Sequence, residues 1–150
     1  LDVEIPKPGH DEIGGMTLSA EARQAVSGHK GFVADLGVKW SGRVSLFGPP
    51  VIWSAGPRVR LVSDDFNDAY FGVNSNESIA SGLPVYNAEG GVHSYGIGAT
   101  AIMPISNTWT AAVFAGYDKL VGDAGDSPLV QLRGSEDQAT LGVFLSYTLF

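Results

Sequence analysis

A chain of 150 residues is enough for one domain, and this one is glycine-rich and charge-poor: 20 glycines, with charged residues at 17% against roughly a quarter in an ordinary soluble domain. The net charge of -7 argues against a nucleic-acid partner, which would require a basic patch, and the lack of cysteine removes disulfide frameworks, thiolate zinc sites and thiol nucleophiles. No apolar run approaches the ~18 residues of a membrane-spanning helix, which leaves a membrane β-barrel open. The chain starts at Leu1 rather than Met, which reads as a processed or excised piece.

The dominant period is two, the mark of strands with unlike faces. Leu1 to Ile5 is at best a stub, because Pro6, Pro8 and the acidic His10-Asp11-Glu12 run make residues 1–15 poor strand material. From Met16 to Val26, Met16, Leu18, Ala20 and Ala22 alternate with Thr17, Ser19, Glu21 and Arg23; the helix-friendly run Ser19 to Arg23 makes a short helix the rival. Gly31 to Ser41 sets Phe32, Ala34, Leu36, Val38 and Trp40 against Val33, Asp35, Gly37, Lys39 and Ser41. Val51 to Ser63 does the same, with Arg58 and Arg60 on the polar side. His93 to Ile105, Thr108 to Lys119 and Gln138 to Phe150 complete six strands, and Ser106-Asn107 supplies a tight turn.

The connections are unequal. Residues 64–91 and 121–137 form long polar loops at one end, while the link at Ser106 is minimal, as in a transmembrane barrel with long excursions on one side only. The short link at Ser27 falls on the long-loop side and is an exception. Trp40, Trp53, Trp109, Tyr117 and Tyr147 sit near strand ends on the apolar face, where interfacial girdles belong. A soluble β-sandwich or lipocalin-like barrel has the same period, but it would cover its polar face with Lys, Glu and Asp. Here that face is rich in Gly, Ser and Thr, and the acids crowd the loops. The expected fold is therefore all-β, an antiparallel up-and-down meander over residues 16–150 forming part of a transmembrane β-barrel.

Two loop segments carry a family likeness. Asp68-Ala69-Tyr70-Phe71-Gly72-Val73 followed by Ser81-Gly82-Leu83-Pro84-Val85-Tyr86, and the block from Phe114 to Gln138 containing Gly122, Asp123, Asp126, Ser127, Pro128, Arg133 and Gly134, resemble in order the D-x-x-Y-F-G-V, S-G-L-P-x-Y and G-D-A-x-D-S-P motifs of the family named for the MltA-interacting protein (MipA) and OmpV. The likeness runs from about Gly31 to the C-terminus and more loosely back to Met16. It implies an outer-membrane barrel of a Gram-negative cell envelope, embedded in outer-membrane lipid. The family's namesake is taken to act as a scaffold between a murein lytic transglycosylase and a murein synthase, and the resemblance makes that the expected role here; a porin-like or osmoregulated channel, as other members are discussed, is the alternative, and a soluble β-barrel binding module a further one. Members are longer than this chain, and six strands fall short of the roughly eight needed to close a barrel. The terminal Phe150 fits the aromatic ending common in such barrels, although it falls on the opposite face from Tyr147 and Leu149.

Chemistry-bearing patterns are weak. Gly96 to Ala101 fits G-x-G-x-x-A but lies inside a strand rather than before a helix. His93 and Ser94 are adjacent, so in a regular strand they face opposite sides and cannot act as base and nucleophile. His10, His29 and His93 lack metal spacing, Asp123 and Asp126 lack the full calcium-loop pattern, and Asn76-Glu77-Ser78 is a sequon without meaning in this context. The expectation is a non-enzyme without cofactor or metal. The candidate functional charges are Glu21, Arg23, Asp35, Lys39, Arg58 and Arg60 on the polar faces, placed to pair across strands in a lumen or to set a pore's selectivity.

Overall fold

The computed structural model describes residues 2–5, 14–25, 30–45 and 48–149. Readings that concern His10, His29, the Ser27 link and Phe150 lie outside the described residues. Among the described residues seven strands, β1 (Asp2–Ile5), β2 (Gly14–Gln24), β3 (Phe32–Val44), β4 (Val51–Val62), β5 (Gly91–Pro104), β6 (Trp109–Leu120) and β7 (Asp137–Tyr147), form one antiparallel sheet in strictly sequential order. The meander follows from the alternation, and Met16 to Gln24 is strand rather than helix. Its Ala20 and Ala22 line up with Leu36 and Ala34 across the ladder. No pairing joins β1 to β7 among the described residues, so the sheet is open. The stretch read as at best a stub is a short strand: Asp2–Ile5 pairs with Met16–Ser19 and covers that part of the β2 edge.

The two faces behave oppositely to those of a soluble barrel. Asp35 and Arg58 on β3 and β4, Ser94 on β5, Asp118 on β6 and Thr140 on β7 all line one cavity, so the sheet curls around its polar face. The apolar face is therefore convex and bare. Leu36, Trp40, Ile97 and Tyr117 are exposed there, and Leu141 reaches 75%. Aromatic residues band it at both ends: Trp40, Trp53, Trp109 and Tyr147 toward the short turns, with Phe32, Tyr95 and Tyr117 toward the long loops. The Trp109 and Tyr147 rings sit 4.8 Å apart. This is the layout of a lipid-facing wall.

The long loops hold what core there is. The segments expected to be plain loops contain four short helices, α1 (Asp64–Phe71), α2 (Ser75–Ser81), α3 (Gly122–Asp126) and α4 (Pro128–Arg133). Their signals are caps rather than periodicity. Asn74 accepts from the Asn76 and Glu77 backbone N–H groups while Glu77 accepts from that of Asn74, a complete capping box, and Ser127 caps α4 with Pro128 in its first turn. The buried apolar residues Val62, Val73, Leu83, Ala88, Leu120, Ala124 and Val130 all lie in this cap or at the strand ends beneath it.

The β3–β4 ladder lapses at one place, between Gly37↔Arg58 and Trp40↔Ala55. Pro57 there has no N–H to give, and the bare Cα of Gly56 lets β4 approach the Val38 carbonyl; a Cβ on Gly56 would be built onto that oxygen. Gly56→Ala is expected to lower stability by about 1–3 kcal/mol, the usual cost of overpacking. Urea unfolding of the complete protein in detergent micelles measures it, and an unchanged midpoint would contradict the close approach.

Candidate functional site

Five of the six charged residues picked out from the polar faces, Glu21, Arg23, Asp35, Arg58 and Arg60, come together in one layer, and Lys39 stands apart from it. Arg60 grips Asp35 from the neighbouring strand, Nε to Oδ1 at 2.7 Å and Nη2 to Oδ2 at 3.2 Å. Glu21 and Asp35 stand directly opposite each other, a like-charge pair that Arg23 relieves by bonding to both. Arg58 reaches past β5 altogether to Asp118 on β6, with Nε to Oδ1 at 2.8 Å and a second bond from Nη2 to Oδ2. Arg58, Gly96 and Asp118 are in register on successive strands, and a side chain on Gly96 would occupy the space of the Asp118 carboxylate. Asp118 was missed from sequence, because nothing local marks a partner 60 residues away. Lys39 makes no ion pair among the described residues.

Asp35, Arg58 and Arg60 separate two hollows along the curl, of about 540 Å³ on the loop side and about 500 Å³ on the turn side. The loop-side hollow is roofed by Tyr70 and Phe71 of α1 and by Leu129 and Val130 of α4. The turn-side hollow is walled by Lys39, Ser54 and Thr100 over a glycine floor.

His93 and Ser94 correct the sequence reading. A bulge shifts the register between Arg60↔Ser94 and Leu61↔Val92, leaving His93 as the extra residue, so both side chains turn into the loop-side hollow, each 7% exposed. The sign of this was the spacing of three, rather than two or four, between the outward-facing Val92 and Tyr95. Their chemistry is structural. Asn67, 2% exposed, gives its amide N–H to the Glu89 carbonyl at 2.6 Å, so its oxygen accepts from His93 Nδ1 at 3.2 Å, and the imidazole is wedged edge-on to Phe66 and Phe71.

The loop motifs are the fastenings of this roof. Ser127, fully buried, donates to the Phe71 carbonyl at 2.6 Å; Tyr86 donates to the Asp123 carbonyl at 3.0 Å; the Asp123 carboxylate accepts from the Glu89 N–H at 2.8 Å; and Arg133 donates to the Ser81 carbonyl at 2.7 Å. Asp68 accepts from the Ala88 N–H, Gly72 ends α1 tight against Asp68, and Gly82 takes a left-handed φ of 76° to cap α2 before the buried Leu83 and the exposed Pro84. Gly122 opens α3 with φ 56°, Asp126 ends it, and Gly134 caps α4. Asp123 is thus a staple between loops. Burial, reinforced by the carboxylates of Asp123, Asp126 and Glu89, holds the Tyr86 phenol above its ordinary range, so it stays a donor well into alkaline solution.

The family model described as MltA-interacting protein MipA matches residues 3–149. The chain belongs to this family. Outer membrane protein OmpV of Vibrio cholerae is 34% identical over 85 residues, covering 57% of this chain and 31% of that protein, and Omp26La of Vibrio anguillarum is similar to the same extent. Putative outer membrane protein YiaT of Escherichia coli K12 is 30% identical over 129 residues, or 84% of this chain and 49% of its own length. The chain therefore spans between 31% and 49% of the length of these relatives. No solved structure matches it. With relatives named for the outer membrane and a bare apolar convex face, this MipA-family chain is outer-membrane β-sheet, not a soluble barrel.

Asn67→Ala is expected to cost about 1–3 kcal/mol locally, since it strands the His93 N–H and the Glu89 carbonyl. Limited proteolysis reads this as faster cleavage within residues 64–91 with the barrel intact, and equal protection would contradict the fastening role.

Proposed function

We propose that residues 16–150, preceded by a short stub, form the wall of an outer-membrane barrel whose polar concave face lines a lumen admitting small solutes, with no bond-making chemistry. The observation that supports this best is the pair of hollows in line along the concave face, bridged by the Asp35–Arg60 and Arg58–Asp118 ion pairs. On this reading Glu21, Arg23, Asp35, Lys39, Arg58 and Arg60 are lumenal: the paired ones hold the wall's shape, and Lys39, without an ion pair among the described residues, adds to its potential. Closure requires further strands, because unpaired edge groups cost several kcal/mol each in hydrocarbon. The curated relatives have the length to supply them.

A second reading, a scaffold joining a murein lytic transglycosylase to a murein synthase, is favoured by the family's description as MltA-interacting. It needs no open lumen. Planar-bilayer recording of the complete protein separates the two. Steady conductance changed by Arg58→Ala is the expected result; electrical silence together with co-purification of murein enzymes would favour the scaffold.

A further inference from the structure

The loop-side hollow is the roofed part of the concave face, and its charges are already spent. Its lining holds two cations, Arg58 and Arg60, and two carboxylates, Asp35 and Asp118, closed into two ion pairs of two hydrogen bonds each. Beside it Arg23 and Glu21 add one charge of each sign and bond to each other. β1 pairs with β2 only as far as Ser19, on the turn side of that row. A charged solute therefore meets no unmatched charge in this lining.

What remains unspent there is neutral. Ser94 is 7% exposed, yet its hydroxyl makes no hydrogen bond among the described residues. No buried side-chain nitrogen or oxygen among those residues lacks a partner, so this oxygen is not sealed in; it opens on the hollow that Ser94 lines. Two strands away, Gln138 gives an amide N–H to the Ser135 carbonyl and keeps its Oε1, and Thr140 makes no side-chain hydrogen bond among the described residues. Both line the same hollow, and Tyr70, Phe71 and Leu129 close it from above with aromatic and aliphatic surface. The hollow thus combines a neutral polar wall, an apolar roof and a balanced floor.

We propose that this roofed hollow binds a neutral saccharide of one or two rings, its hydroxyls on Ser94, Gln138 and Thr140 and the C–H face of a ring against Tyr70, Phe71 and Leu129. A sugar carries groups that both donate and accept together with an apolar face, which suits hydroxyls and an amide oxygen set below an aromatic and aliphatic cover. The volume of about 540 Å³ is within the usual range of a small-molecule site. The proposal rests on the lumen reading above, and it names the class of solute.

Calorimetric titration of the complete protein, in a detergent without a sugar headgroup, tests it. Glucose and maltose are the probes, with glucuronate and glucosamine in mildly acidic buffer as the anionic and cationic counterparts of glucose. At least one neutral sugar is expected to bind about fivefold or more tightly than either charged one, with Ser94→Ala weakening it by about threefold to tenfold, the loss of one neutral hydrogen bond. Heat-modifiable gel mobility verifies that each variant folds, and Thr140→Val, on a different strand, is expected to weaken binding to the same extent should Ser94→Ala not fold. No binding of either neutral sugar, equal binding of the charged counterparts, or indifference to both Ser94→Ala and Thr140→Val would overturn the site. Bilayer conductance is read separately: a conducting protein that binds neither sugar keeps the lumen and removes the site, whereas a silent protein that binds sugar through Ser94 keeps the site and removes passage.

Discussion

The structure depends on one constraint, that alternate side chains of every long strand belong to different solvents. Seven strands in sequential antiparallel order put Leu36, Val59, Ile97, Tyr117 and Leu141 on one surface and Asp35, Arg58, Gly96, Asp118 and Thr140 on the other. Among the described residues the sheet has no partner layer to bury its apolar side, and the few buried apolar residues belong to the loop cap and the strand ends below it. Burial of that apolar surface must then come from lipid, since roughly 25 cal/mol per Å² would be forfeited by leaving it in water.

Given lipid outside, the inner face has to satisfy its own charges, and it does so across strands rather than along them. The bond from Arg58 to Asp118 spans β5 only because Gly96 stands between them, so the glycine richness of the composition has a local cause at that row. The cap has a different logic. Its helices are too short to be stable alone and are held by single hydrogen bonds between the two loops, such as Ser127 to Phe71 and Tyr86 to Asp123.

Much of this was legible in the sequence. The six long strands, their order and, apart from His93, their facing followed from the period of two, whereas β1 fell in a stretch read as poor strand material, and the gathering of Glu21, Arg23, Asp35, Arg58 and Arg60 followed from their shared parity. The rest was hidden for identifiable reasons. A helix of five to eight residues is too short to display a 3.6-residue period, so α1 to α4 read as polar loop. The bulge at His93 is a single inserted residue, betrayed only by the odd spacing of Val92 and Tyr95. The motif residues around Asp68 and Asp123 could be recognised as a family pattern, but their role as fastenings depends on partners 20 to 56 residues distant. Asp118, lying on the polar face of its strand, gave no sign that it would complete the ion-pair layer.

The central claim is the assignment of the two faces, and nitroxide scanning tests it directly, aided by the absence of native cysteine in this chain. Single cysteines at Leu36 and Val143 on the convex face, and at Ser54 and Thr100 on the concave face, would be spin-labelled in the complete protein reconstituted in bilayers. The account predicts relaxation by oxygen, which partitions into lipid, at Leu36 and Val143, and by a water-soluble nickel chelate at Ser54 and Thr100. Nickel accessibility at Leu36 and Val143 with protection at Ser54 and Thr100 would contradict it.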